Sequence, residues 1–143
     1  MCRFASAVIT KTSVLCLKDS DSHTDILAAN KIDDSKKSPD FVKVEIVPTG
    51  ANWLDIDKWE FSVDQDELPS WWNPVQDEHR ARLALRKRLP NWNGNLKIKG
   101  YIDLSSLTSL PANAKLSAGG NLALRRLKGN IPTGVVTKGN VIR

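Results

Sequence analysis

GYIDL at residues 100–104, GNLAL at residues 120–124 and GNVI at residues 139–142 begin three units of the chain that start 20 and then 19 residues apart. Between the glycines, apolar residues recur at matching places and lead to a proline, in Leu110-Pro111 and again in Ile131-Pro132. A fixed period of about 20 residues is typical of repeat proteins, in which each unit is a coil that stacks on its neighbour. The pattern therefore predicts a short Leu-rich β-solenoid at the C-terminal end.

Upstream of the repeats, the sequence alternates between strand and helix patterns. Residues 3–17 contain two β-rich runs around a polar turn, which predicts a hairpin. Residues 41–47 and 59–63 alternate apolar and polar side chains with the period of two that strands show. These segments predict a small β-sheet.

Two helices are predicted between and after these strands. Ser22 has the position of an N-cap for a helix over about residues 23–31, and Asn73-Pro74 begins a second helix over residues 75–89. The turn-forming residues that follow stop the second helix. The predicted fold class is thus an acidic α+β N-terminal domain with a short, basic C-terminal Leu-rich β-solenoid, residues 1–93 and 94–143.

Composition narrows the class of protein. The chain has 143 residues, 41% of them apolar, which is enough for one ordinary domain or two small ones. No stretch reaches the roughly 20 apolar residues of a membrane span, and the N-terminus lacks the pattern of a signal peptide. We therefore expect a cytoplasmic protein without membrane contacts. Cys2 and Cys16 are the two cysteines, so the sequence predicts neither a disulfide framework nor a zinc site, and it indicates no cofactor.

Charge divides the chain into two opposite parts. Residues 1–78 carry 8 Lys and Arg against 15 Asp and Glu, a net charge of −7, and residues 79–143 carry 13 against 1, a net charge of +12. A basic half of this kind is typical of proteins that bind nucleic acid or another polyanion. The alternative interpretation is that the two halves attract each other, within one chain or between subunits.

The candidate binding residues follow from this charge pattern and from the unusual number of tryptophans. Cations on the second helix and on the repeats would form a basic surface, and one ring of the adjacent Trp71-Trp72 pair would be exposed to a partner. The predicted binding residues are Arg80, Arg82, Arg86, Lys87, Arg88, Lys97, Lys99, Arg125, Arg126, Trp71 and Trp72.

Cys2 and His23 are weak candidates for catalysis. Removal of the initiator Met would expose a Cys2 thiol whose own amine could act as base, as in N-terminal nucleophile hydrolases. His23 titrates near neutrality and could act as general base with Asp21 or Asp25 orienting it, but its place in the first turn of a helix predicts a solvated side chain without a function. A real site would put either residue in a cleft beside a second titratable group.

One acidic turn has oxygen ligands for a divalent cation, at Asp64, Asp66 and Glu67. Its pattern nevertheless favours a solvated acidic turn.

Several strings together resemble one group of proteins. SAVITKTSV, SDSHTDIL, FVKVEIVP, DKWEFSVDQDELPSWW and the units LSSLTSLP and LSAGGNLAL are similar to small uncharacterised proteins of phages and prophages, over nearly the whole chain. The most specific string is VDQDELPSWW. The resemblance implies an accessory protein in which an N-terminal α+β domain precedes Leu-rich or GGNL-type coils, and it implies no established activity.

The first functional hypothesis is a non-enzymatic binding protein that presents its repeat surface to a host or phage macromolecule, for instance to inhibit a host defence protein. A second hypothesis is a small hydrolase that uses Cys2 or His23. A third is a nonspecific nucleic-acid binder. Because a short solenoid leaves an unpaired strand edge, we also expect a homodimer through the C-terminal coils.

Overall fold

The structure is a computed structural model that describes residues 2–35 and 39–143, and its largest sheet is antiparallel. This sheet has four strands in the order β2-β1-β3-β4. The strands are β1 (Ser6–Thr10), β2 (Val14–Leu15), β3 (Phe41–Val47) and β4 (Glu60–Val63).

Strand pairing in this sheet follows the alternation of the sequence. β1 and β2 form the predicted hairpin, with Val8 opposite Leu15. β3 runs down the middle of the sheet, pairing with β1 on one side and with β4 on the other, where Val44 lies opposite Val63. The predicted hairpin and strands are confirmed, and β3 is buried along almost its whole length.

Both predicted helices are present. Helix α1 (His23–Ala29) is capped by Ser22, whose hydroxyl accepts from the Asp25 backbone N–H, and it ends two residues before the predicted end. Helix α2 (Pro74–Arg88) is capped by Asn73 in the same way. A short 3₁₀ turn, Ile56–Lys58, lies between β3 and β4. Neither α-helix in the described ranges has the length and apolar character needed to span a bilayer.

The C-terminal part of the chain forms two small parallel sheets. Their strands are β5 (Asn95–Ile98), β6 (Ile102–Asp103), β7 (Lys115–Ala118), β8 (Leu122–Ala123), β9 (Val135–Thr137) and β10 (Val141–Ile142). One sheet has the order β5-β7-β9 and the other β10-β8-β6. Equivalent residues of successive repeats pair, for instance Leu96 with Leu116 and Ile102 with Leu122.

The predicted fold class, an α+β domain followed by a Leu-rich β-solenoid, is wrong. The described residues form a mixed architecture of one antiparallel sheet, two small parallel sheets and two helices. The larger of two hydrophobic clusters extends from Phe4, near the N-terminus, to Leu127 in the repeats. The physical reason is length: strands of two to four residues in about three repeats bury too little apolar surface to form a separate stack. The domain boundary near residue 93 stays a prediction.

An aromatic cluster lies in the middle of this core. Phe4, Trp53 and Trp59 are almost completely buried, and the half-buried Trp92 packs edge-on against Trp53 at 4.9 Å between ring centroids. Phe4 contacts both buried tryptophans, at 6.3 and 5.6 Å between centroids. Each such side chain buries a large apolar area, so the cluster holds the N-terminal segment firmly in place.

Close stacking of the repeats depends on glycine. A Cβ atom placed on Gly119 would lie 1.8 Å from the backbone oxygen of Lys99, in the neighbouring repeat, whereas a Cβ atom on Gly100 would meet no atom within 4 Å. The backbone contact between repeats therefore requires a glycine at position 119, whereas position 100 has room for a Cβ atom.

We expect Gly119→Ala to lower the free energy of unfolding by about 1–3 kcal/mol, because the backbones of two repeats must move apart. Gly100→Ala is the matched control and is expected to change it by less than about 1 kcal/mol. Urea unfolding followed by tryptophan fluorescence measures both variants. Equal stability of the two variants would contradict the close contact.

Candidate functional site

The candidate site begins with the anchoring of the N-terminal segment. The Arg3 backbone N–H donates to Glu45 Oε2 at 2.6 Å, and its guanidinium Nε donates to Oε1 of the same carboxylate at 3.3 Å. The Phe4 N–H donates to the Asp103 backbone oxygen at 3.2 Å, while Ala5 and Ile46 exchange two backbone hydrogen bonds of 2.8 Å. Cys2 is therefore attached to a segment whose next three residues are fixed to β3 and β6.

His23 is the first residue of α1. Its side chain is buried, with 3% of the residue exposed, so the predicted solvated histidine is wrong. The ring reaches β3, where Nε2 lies 2.9 Å from the Val44 backbone oxygen. Because a carbonyl oxygen only accepts, Nε2 must carry the hydrogen, which leaves Nδ1 for the other partner.

That other partner is Cys2. The Sγ atom of Cys2 lies 3.2 Å from His23 Nδ1, and the backbone N–H of His23 donates to the same sulfur at 3.3 Å. The structure thus brings the two weak catalytic candidates into direct contact, which is the arrangement that distinguishes a site from isolated residues.

The contact changes the acidity of both groups. The hydrogen bond from His23 lowers the pKa of the Cys2 thiol below its usual value, although partial burial opposes the change. Burial alone would lower the pKa of His23, but the hydrogen bonds to Cys2 and to the Val44 oxygen outweigh it and raise the pKa. Opposite shifts of this kind favour a thiolate beside an imidazolium. Cys16 behaves differently, because burial raises the pKa of its thiol.

Two carboxylates complete the surroundings of His23. Asp64 Oδ2 lies 3.7 Å from His23 Nδ1 and is largely exposed. One ligand atom each from His23, Glu45 and Asp64 lies within 4.8 Å of the others, so these three residues could hold a metal ion. Both oxygens of Glu45 already accept hydrogen bonds from Arg3, which a metal would have to displace. We therefore interpret the carboxylates as stabilising the positive charge on His23.

Cys2 opens onto a cleft of about 350 Å³ between α1 and the first parallel strands. The cleft is lined by hydroxyl, carboxyl and phenol side chains. Its lining consists of Cys2, Ser20, Asp21, Ser22, Thr24, Asp25, Gly100 and Tyr101. The thiol is thus accessible from the cleft, while the buried imidazole contacts it from the interior of the protein.

Asp21 is the most unusual group in this lining. Its side chain is 2% exposed and faces the equally buried Arg88, with Asp21 Oδ1 3.3 Å from the Arg88 Nη1. The same oxygen accepts from the Ser6 N–H at 2.6 Å, whereas Asp21 Oδ2 and Arg88 Nε have no hydrogen-bond partner among the described residues. Burial raises the pKa of Asp21 to about 7, although the charge of Arg88 opposes it.

Five of the nine predicted binding cations pair with acids from residues 1–78. Arg80 pairs with Asp77, Arg82 with Glu78, Arg86 with Asp57, Arg88 with Asp21 and Lys99 with Asp19. Two of these pairs, Arg80–Asp77 and Arg82–Glu78, lie within α2, and the other three join residues distant in the sequence. The attraction of the two halves, which the sequence left as an alternative, stays a prediction.

The remaining predicted binding residues are spread over the surface. Lys87, Lys97, Arg125 and Arg126 are exposed. Trp71 and Trp72 are both half-buried: the Trp71 indole N–H donates to Asp40 Oδ1 at 2.7 Å, and the Trp72 ring stacks on Phe61. Neither a macromolecular partner nor a homodimer through the C-terminal strands is tested by these contacts, and both stay predictions.

Several residues of the site were not predicted. Glu45 looked like one polar position of an alternating strand, and Tyr101 carried no motif. Asp21 was considered only as an acid that could orient His23, whereas its carboxylate pairs with Arg88. The acidic turn of Asp64, Asp66 and Glu67 was predicted to be solvated, and the exposed Asp64 differs only in lying near His23. Nothing in the local sequence relates these positions, because they are joined by strand pairing and by the packing of α1.

A larger cavity of about 590 Å³ lies elsewhere, between the end of α2 and β5. It is lined mainly by lysine, arginine, asparagine and apolar side chains, among them Lys97 and Trp92. We assign the candidate site to the smaller cleft because that cleft contains the paired thiol.

No protein-family model matches this chain, and neither the curated proteins nor the solved structures include one that matches it.

Asp21 makes stability depend on pH. A carboxyl group whose pKa rises from 3.8 to about 7 on folding holds its proton more tightly in the folded protein, so its contribution is fully present below pH 3.8 and is lost as the pH rises through 7. Asn at this position cannot ionise. The measured quantity is the free energy of unfolding of the wild type minus that of Asp21→Asn. We expect this difference to fall by roughly a few kcal/mol between pH 4 and 7.

Urea unfolding at pH values across this range measures the difference, with the exposed Asp66→Asn as the matched control for loss of one carboxyl group. A free-energy difference that grows with pH would contradict the raised pKa of Asp21. It would mean that Arg88 lowers this pKa more than burial raises it.

Proposed function

We propose that the protein is a small cysteine-dependent enzyme of acyl transfer or hydrolysis, with Cys2 as nucleophile and His23 as the base that activates it. The observation that carries the proposal is the 3.2 Å contact between Cys2 Sγ and His23 Nδ1 at the edge of a cleft. A thiolate is the reactive form of cysteine, and a neighbouring imidazolium is a common way to stabilise it near neutral pH.

The geometry supports a two-step reaction. In the first step the thiolate attacks the carbonyl carbon of an ester, thioester or amide; a C–S bond forms, the bond to the leaving group breaks, and the Nδ1 proton of His23 moves to the leaving group. In the second step His23 takes a proton from water, which attacks the thioester and releases a carboxylic acid. The thiolate and the imidazolium are then restored.

Val44 has a positioning function in this scheme. By accepting from Nε2–H, its backbone oxygen fixes the ring orientation and leaves Nδ1 to exchange the proton with Cys2. The charge of Glu45 favours the charged ring, and Asp64 Oδ2 lies 3.7 Å from Nδ1. The arrangement of nucleophile, base and supporting acceptor is the general pattern of activated nucleophiles.

The hypothesis of a phage accessory protein that binds a macromolecule through its basic half has weaker structural support. The resemblance on which it rests stays a prediction, and five of its nine cations are occupied by acids of the same chain. Ion pairs of this kind reduce the positive charge available to a polyanion.

Trapping of an acyl-enzyme tests the proposal. Mixing the protein with p-nitrophenyl acetate at about pH 6, where an ordinary thiol is almost wholly protonated, should release p-nitrophenolate and add one acetyl group to Cys2. We expect Cys2→Ala to abolish acetylation of the N-terminal peptide. His23→Gln, whose amide N–H can still donate to the Val44 oxygen, should slow it by on the order of 10²–10⁴-fold.

Cys16→Ser is the matched control, because it removes the other thiol and leaves Cys2 and His23 unchanged. Peptide mass spectrometry locates the acetyl group in each variant. Acetylation of Cys2 and Cys16 at equal rates in the wild type, or an unchanged rate in His23→Gln with a native circular dichroism spectrum, would overturn the proposal.

A further inference from the structure

Side chains of the types that ligate metals surround the Nδ1 atom of His23. The Sγ atom of Cys2 lies 3.2 Å from Nδ1, and Asp64 Oδ2 lies 3.7 Å from it. Glu45 belongs to the same group, since one ligand atom each of His23, Glu45 and Asp64 lies within 4.8 Å of the others. Neighbouring ligands of one tetrahedral zinc ion, each bound at about 2.0–2.3 Å, lie roughly 3–4 Å apart. The distances from Nδ1 to Sγ and to Oδ2 are therefore those of ligands to one ion.

The imidazole of His23 is oriented as a metal ligand. Its Nε2–H donates to the Val44 backbone oxygen at 2.9 Å, which leaves Nδ1 to face the thiol and the carboxylates. Metal-ligating histidines almost always donate their other ring N–H to a carbonyl or carboxylate, because that bond fixes the ring and increases its basicity as a ligand. The hydrogen bond to Val44 thus points to a metal at Nδ1 independently of the cluster of ligand types.

The two carboxylates differ in how readily they can bind an ion. Glu45 is buried, and its oxygens accept from the backbone N–H and the guanidinium of Arg3. The Asp64 side chain is 57% exposed, while its backbone N–H donates to the Lys43 oxygen on β3. This side chain can rotate toward an ion while its backbone stays attached to the sheet. Asp64 is therefore the carboxylate ligand, and Glu45 keeps Arg3.

We propose that Cys2, His23 and Asp64 form a binding site for Zn²⁺, with Sγ, Nδ1 and a carboxylate oxygen as ligands. Thiolate, imidazole and carboxylate are the side-chain groups that bind zinc in proteins, and three protein ligands leave a fourth position for water. Sulfur and nitrogen ligands favour zinc over magnesium and calcium, which prefer oxygen. When the ion binds, bonds form at Sγ and Nδ1, and the proton shared by these two atoms passes to solvent.

Zinc and an acyl substrate compete for the same sulfur atom. A thiolate bound to zinc is a weaker nucleophile, and an Nδ1 atom bound to zinc cannot exchange a proton with the thiol or with a leaving group. The site therefore makes the reactivity of Cys2 depend on the concentration of zinc. The inference goes beyond the proposed function and does not depend on it, because ligation requires only the geometry of the three side chains.

Titration of the reduced, metal-free protein with Zn²⁺, in competition with a chromophoric chelator, measures the dissociation constant. We expect one Zn²⁺ per chain. Cys2→Ala should weaken binding by about 100-fold or more and Asp64→Asn by at least about tenfold, since changes of residues that only support metal ligands already cost roughly 10–100-fold. Two matched controls should leave the affinity unchanged. Cys16→Ser removes the other thiol, and Asp66→Asn removes an exposed carboxylate of the same acidic turn.

Titration with Co²⁺ identifies the sulfur ligand, because a cobalt–thiolate bond gives a charge-transfer absorption in the near ultraviolet. We expect this absorption in the wild type and in Cys16→Ser but not in Cys2→Ala, with a native circular dichroism spectrum for each variant. An absorption that persists in Cys2→Ala would overturn the site. Equal affinity of the wild type and Asp64→Asn for Zn²⁺ would overturn it as well.

Acetylation by p-nitrophenyl acetate distinguishes this inference from the proposed function. One equivalent of Zn²⁺ should suppress acetylation of Cys2, and removal of the ion with EDTA should restore it. A metal-free protein that acetylates Cys2 but binds no Zn²⁺ at micromolar concentration would overturn the zinc site alone. A protein that binds Zn²⁺ through these residues, but is not acetylated when metal-free, would overturn the proposed function alone.

Discussion

The burial of Phe4 is the constraint on which the rest of the structure depends. Its ring packs against Trp53 and Trp59, which stack on each other, and its backbone N–H donates to the Asp103 backbone oxygen in the first repeat. The guanidinium of Arg88 lies 5.3 Å from the same ring centroid. One residue thus links the connection between β3 and β4, α2 and the parallel sheets. Burial of a phenylalanine side chain contributes roughly 1.5–3 kcal/mol.

This anchor also determines where Cys2 lies. With Phe4 in the core and Arg3 bound to Glu45, the backbone has little freedom to move the thiol away from His23. The imidazole is equally restricted, because Nε2 is tied to Val44 and α1 is packed on the sheet. Holding two groups in a reactive geometry before a substrate arrives is a large part of what an enzyme provides.

Local elements could be predicted from the sequence, whereas the site could not. The caps of both helices and the strand pattern of residues 41–47 are short-range signals, and the structure confirms both helices and the strand. The burial of His23 could not be predicted, because a position in the first turn of a helix does not specify which other element the imidazole will contact. Asp64 approaches His23 only through the pairing of Val44 with Val63, a register that no local pattern specifies. The repeat period was visible, but the shared core that joins the repeats to the first sheet was not.

The protonation state of His23 tests the central claim most directly. Nitrogen NMR of ¹⁵N-labelled imidazole, with His79→Gln to remove the second histidine, reports whether each ring nitrogen carries a proton. Recorded over a pH series, these spectra give the pKa of His23, and we predict a higher pKa with Cys2 intact than in Cys2→Ala, because loss of the thiolate removes a group that raises the pKa of His23. An equal or lower pKa with Cys2 intact would contradict the thiolate–imidazolium pair.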